Sequence, residues 1–162
     1  MEDDTTIMPM KPRVVELDLG VMPAPGGSGE LLLVDEWSCR LVFVTAATPT
    51  SGVAVATFKD CRQVMFGYPN DEAQPGHPLY PAGGWSYGVY EVLGSDWAAR
   101  LQAQNRVVFP DWTPSDKRHF LVACHEDLVE VLADDVEVEV SRRPFEAVAL
   151  EALRNNLRDH RG

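Results

Sequence analysis

Between Phe66 and Glu91 the chain gathers the residue types that move protons and hold ligands. Phe66-Gly67-Tyr68-Pro69-Asn70-Asp71-Glu72 is followed by Gly76-His77-Pro78-Leu79-Tyr80 and then by Tyr87-Gly88-Val89-Tyr90-Glu91. An imidazole titrates near neutrality, and a carboxylate beside it fixes which ring nitrogen carries the proton. Such a set serves general acid–base work or divalent-metal binding. His77 and His125 are the candidate proton carriers or ligands, and Asp71, Glu72 and Glu91 are the carboxylates to orient them. Tyr68, Asn70, Tyr80 and Tyr87 are the candidates to line a ligand site, as apolar walls and polar donors. A plainer reading of the same residues stands beside this one: Asn, Asp and Glu ahead of Pro75-Gly76 make turns, and prolines with aromatics pack loops.

His125 is followed by Glu126 and Asp127, which adds carboxylates to that set. His119 and His125, six residues apart on one strand, share a face. At ~3.3 Å per residue they stand about 20 Å apart, too far to share one ion. There is no HxH, HExxH or CxxC spacing. A divalent metal would therefore be held by His and carboxylate with water completing its shell, because Cys39, Cys61 and Cys124 are too dispersed for a structural zinc site. No G-x-S-x-G elbow is present, and Cys124 alternates onto the face opposite His119 and His125, where it reads as a small buried hydrophobe. Gly26-Gly27 and Gly83-Gly84 lack the Lys or helix start of a phosphate loop, so no nucleotide cofactor is expected.

The segment that carries most of these groups, 67–84, holds four prolines and four glycines. It exceeds the ~12–15 residues a compact domain tolerates without structure, and its aromatics favour docking, which predicts an ordered loop. Period-two alternation and β-branched runs predict strands over 14–19, 31–34, 39–46, 53–58, 62–66, 86–92, 119–125, 128–133 and 136–140, with turn chemistry at Pro49–Gly52. Of these nine segments, seven or eight are expected to stand as separate strands. Ser95 is a fitting N-cap for a helix to about Asn105, with Asp96 beside its positive end, and Trp97 and Leu101 on one face. Pro144 opens a final helix to about Arg158 with an apolar stripe of Phe145, Val148, Leu153 and Leu157. The expected class is mostly β (α+β): an antiparallel sandwich or open barrel with two helices.

The chain has 162 residues, 45% of them hydrophobic and 24% charged, the proportions of one globular domain. A flexible N-terminal arm is expected over 1–12 and a single domain over 13–162. The net charge of −11 repels nucleic acid and anionic membrane surfaces, so the partner is a small molecule or a basic protein. Three cysteines form no disulfide framework, Met1–Lys11 has no apolar signal core, and no run approaches the ~20 apolar residues of a membrane span. A cytoplasmic location is expected.

The quoted segments, together with Val92, Ser95-Asp96-Trp97, Arg118-His119-Phe120 and His125-Glu126, resemble a family of small uncharacterised bacterial proteins over about residues 58–134. The resemblance implies no activity. Val129 and Val131 stand where it leads one to expect an aromatic and a cysteine. Two functions stay open: a small-molecule enzyme or ligand-binding protein with a His, carboxylate and Tyr pocket built by the 67–84 loop against the strand ending at His125, or an acidic protein-binding module, such as an immunity or adaptor protein, with no catalysis.

Overall fold

The structure, a computed structural model, describes residues 10–27, 29–46, 51–111 and 117–159. Most of the expected N-terminal arm (1–9) and half of the turn expected at Pro49–Gly52 lie outside the described residues.

Nine strands and two helices follow in the order β1 (Arg13–Glu16), β2 (Leu31–Val34), β3 (Ser38–Val44), β4 (Val53–Lys59), β5 (Gln63–Gly67), β6 (Gly88–Leu93), α1 (Asp96–Val108), β7 (Arg118–Ala123), β8 (Leu128–Ala133), β9 (Asp135–Ser141) and α2 (Phe145–Asp159). That is one strand more than the upper expectation. All pairings are antiparallel and form two sheets, β1-β6-β7-β8-β5 and β2-β3-β4-β9. The sheets do not close into a barrel; they make a sandwich. The first strand is shorter than its alternating pattern. Past Glu16 the chain leaves the ladder, but Leu17 keeps a hydrogen bond to the Val89 carbonyl at 2.8 Å, and Leu17 and Leu19 still pack on the core.

Period-two alternation decides which side chains meet between the sheets. Cys39, Leu41 and Phe43 of β3 and Ala54, Ala56 and Phe58 of β4 face Phe120 and Val122 of β7 and Val129, Val131 and Ala133 of β8. The rings of Phe58 and Phe120 lie 5.7 Å apart. Each such side chain, fully removed from water, contributes roughly 1.5–3 kcal/mol before the entropy of ordering it.

β7 and β8 are covered on their outer face as well, which is why they read as nearly continuous apolar runs. Leu79, Ala82 and Trp85 of the long loop pack there on Val14, Tyr90, Leu121, Ala123 and Leu128. On the other sheet, α2 lays Val148 and Ala152 on Val42 and Val53. Its buried stripe is Val148, Ala152 and Asn156, spaced by four. Leu153 and Leu157, expected to be buried, are exposed, because the helix is rotated to bring Asn156 against Arg40.

Candidate functional site

The 67–84 loop is ordered by its own polar contacts. Buried Gln74 donates to the Cys124 carbonyl at 3.2 Å and accepts the Trp85 indole N–H at 2.9 Å. The Trp85 ring in turn meets His77 and Tyr80 edge-on, with centroids at 5.5 and 5.0 Å. This clamps the loop to the outer face of β7 and β8, where the sequence places two polar residues among apolar ones, His119 and Glu130.

Those two residues form the centre of a buried hydrogen-bonded chain. Ser95 caps α1, its Oγ accepting the Ala98 N–H at 3.1 Å. That leaves the hydroxyl proton for His119 Nδ1 at 2.7 Å. His119 Nε2 then carries the other proton and donates to Glu130 Oε1 at 2.9 Å. From the loop side, His77 Nδ1 accepts the Leu79 N–H at 3.1 Å, so its Nε2–H faces Glu130 Oε2 at 3.3 Å. Every ring nitrogen is used, and one carboxylate receives a donor on each oxygen. The His119 and Glu130 side chains are only 3% and 7% exposed, and burial of this carboxylate is tolerated because both of its oxygens are satisfied. Trp97 closes the chain at the α1 side: its indole donates to Gln63 at 2.7 Å and its ring stands edge-on to His119.

A second cluster sits on the surface beyond the end of β7. His125 Nδ1 donates to Asp71 Oδ2 at 2.8 Å, Tyr87 Oη donates to the same oxygen, and His125 Nε2 lies 3.2 Å from Glu126. The Asp71 N–H to His125 carbonyl bond, 2.9 Å, joins the loop to the β7–β8 turn. The Tyr87 and His125 hydrogen bonds hold the Asp71 carboxyl below its usual range, and Asp71 in turn raises the His125 pKa. The Asp71 hydrogen bond pushes the Tyr87 phenol up to about 12. Nearby, burial together with Asp127 and Glu126 raises the pKa of Glu30. Its Oε2 has no hydrogen-bond partner among the described residues.

The sequence-predicted residues thus divide. Asp71, Tyr87 and His125 come together. His77 does not join them; the carboxylate it meets is Glu130, on the sheet beneath. Glu91 faces the sandwich interior at its rim, where its two oxygens take the Arg118 guanidinium at 2.9 and 2.8 Å, and its role there is that of an ion-pair partner. Glu72 is exposed, Tyr68 is 84% exposed, Asn70 caps the turn at Ala73, and Tyr80 packs on Trp85. Glu130 carries no motif in the sequence, while Ser95 reads there as a helix cap and His119 as a strand histidine too far from His125 to share an ion. The signal for Glu130 is legible afterwards: it is the single charged residue of Leu128–Ala133 and shares the face of Leu128 and Leu132.

The loop makes a packed layer through Leu79, Ala82 and Trp85. Four of the clefts among the described residues measure about 600, 420, 530 and 380 Å³, and the last of these is lined by Ser95 and His119 together with Glu91. It lies at the N-terminus of α1 and is lined by Glu91, Ser95, Asp96, Lys117, Arg118 and His119, among others. No group of three or more His, Cys, Asp or Glu side chains among the described residues has the arrangement of a metal site. Comparison of the chain with protein-family models, curated proteins and solved structures gives no match, so the chemistry rests on this geometry.

Proposed function

We propose that this protein is an enzyme acting on a small molecule at the α1 cleft, with Ser95 as nucleophile and His119 as its base, on an activated acyl ester. One observation carries the reading: Ser95 and His119 line the same cleft, their Oγ and Nδ1 are 2.7 Å apart, and the far ring nitrogen is fixed by a buried carboxylate. That is the order of parts by which an ordinary hydroxyl becomes a nucleophile.

In the step proposed, Oγ bonds the acyl carbon as its proton passes to Nδ1, and the imidazolium is stabilised by Glu130. The proton then goes to the departing alkoxide as the ester C–O bond breaks, and water releases the acyl group by the same route. The first-turn amides of α1, of which Ala98 N–H already meets Oγ, favour negative charge beside it. Ser95 and His119 are the catalytic residues of this scheme; Glu130 and His77 are positioning residues. No helix of the described residues is long and apolar enough to cross a membrane. We place the enzyme in a reducing cytoplasm, where its three buried thiols stay free.

Hydrolysis of 4-nitrophenyl acetate and covalent labelling by a fluorophosphonate test the reading. Ser95→Asn keeps a good N-cap and removes the nucleophile. It should abolish labelling and slow hydrolysis by on the order of 10²-fold or more, whereas Glu130→Gln should slow both by about 10-fold or more. Labelling at any other residue, or none on folded protein, removes the assignment.

A further inference from the structure

Strands β2 and β5 end their sheets on the same side of the sandwich, and each is paired on one edge only among the described residues. Between them runs the cleft of about 530 Å³, lined by Leu32, Val34, Val64 and Phe66, with Asp35, Glu36 and Arg62 at one end. Leu32 and Val64 pack inward on the core, whereas Val34, Met65 and Phe66 are 53%, 46% and 46% exposed. Proteins commonly blunt free edges with Lys, Pro or an inward charge, since an open row of N–H and C=O groups is a template for another strand. Neither Leu31–Val34 nor Gln63–Gly67 holds a charge or a proline.

The ends of this seam are acidic. Asp35 and Glu36 follow β2; Glu30 precedes it, within electrostatic reach of Asp127 and Glu126 and also of His125. The one cation lining the seam, Arg62, is already bound to Asp60 at 2.6 Å and lies over the Trp37 ring at 5.3 Å. A second copy of a chain with net charge −11 would bring like charge to both ends.

We propose that this seam binds an extended, basic segment of a partner protein, added as a strand along β5, with alternate apolar side chains in the cleft and Lys or Arg at its acidic ends. Backbone hydrogen bonds to the free edge would supply affinity, and the cleft and the carboxylates would supply selectivity. The proposal is independent of the Ser95 chemistry, which lies at the α1 end of the same sheet.

Fluorescence anisotropy with a labelled, capped peptide of alternating Lys and Val, against its Glu and Val twin, is the test. The Lys peptide should bind and the Glu twin should not. Val34→Lys with Phe66→Lys, both at exposed positions, should weaken binding at least 10-fold, while Val107→Lys, equally apolar and 82% exposed on α1, should leave it unchanged. Three outcomes overturn the proposal: no binding of the Lys peptide, equal binding by the double variant, or concentration-dependent self-association in sedimentation that the double variant abolishes, which would assign the seam to a second copy.

Discussion

The two histidine clusters are built from the same residue types and solve opposite problems. In the buried one, Glu130 lies in a layer closed by the loop and α1, so it is tolerable only with a donor on each oxygen, and two rings are spent on it. In the surface one, the His125 and Asp71 side chains remain 35% and 25% exposed, and water can replace any partner that is lost. The same chemistry is thus obligatory in one place and adjustable in the other. Burial, not residue type, decides which polar groups the fold can lose without a large cost.

The sharpest way to break this contrast is His119→Ala. It leaves Glu130 Oε1 without its donor in a buried site and opens a cavity beneath Trp97, so urea unfolding should show a loss of about 3–5 kcal/mol. His125→Ala should fall far below that. Equal losses would mean that burial is not what separates the clusters. Next in size is Trp97→Ala. α1 has no fully buried residue, and Trp97 is its main anchor through Gln63 and His119. Its removal should cost about 3 kcal/mol, with helical circular dichroism lost ahead of the sheet signal.

Much of the sandwich was legible because β-branched alternation and turn residues agree with the burial that results. Ser95 and Pro144 marked both helix starts, the first by capping an amide with its hydroxyl and the second by its fixed φ. The loop was legible as ordered from its length, prolines and aromatics, and Asp71, Tyr87 and His125 from their residue types; what joins residues as far apart in sequence as Asp71 and His125 is the loop folding back onto the β7–β8 turn. What escaped was set by which partner each face finds. His77 was assigned to its sequence neighbours, yet the loop lies flat and carries it over Glu130, which stands on β8. Glu91 has the residue type of an orienting carboxylate, but Arg118 on the adjacent strand accounts for it. The α2 stripe was shifted by one polar contact, Arg40 to Asn156, that spacing alone does not reveal.

A smaller effect is expected from pH, and it belongs to the surface pair. The folded-state pKa of His125 is raised above its ordinary 6.5, so its contribution is fully present below 6.5 and is lost as pH rises through the raised value. Asp71 is lowered from 3.8, so its contribution is present above 3.8 and is lost as pH falls through the lowered value. The pair therefore supports the fold most between these limits. Thermal melts at pH 5.5 and 9 should show the wild-type advantage over His125→Gln shrinking at the higher pH. An advantage that grows toward pH 9 would mean the raised His125 pKa has been misassigned.

The finest test separates Tyr87 from the pair it supports. Its hydroxyl gives a proton to Asp71 Oδ2, the same oxygen that receives His125, and stands 3.5 Å from the imidazole. Tyr87→Phe removes one of two donors and leaves the ion pair in place, so the unfolding free energy should change by no more than about 1 kcal/mol, because water can reach the vacated site. The change should be clearer in an ultraviolet titration. Ionising Tyr87 breaks its hydrogen bond to Asp71 and puts a second negative charge beside it, which pushes the phenol pKa up to about 12. The wild-type protein should carry a late tyrosinate step near that pH, and Tyr87→Phe should lack it. If the variant instead loses a step at the ordinary pH near 10, the Tyr87 phenol is not held by Asp71 in solution. The surface cluster would then reduce to the His125–Asp71 pair, and the pH dependence of stability would rest on that pair alone.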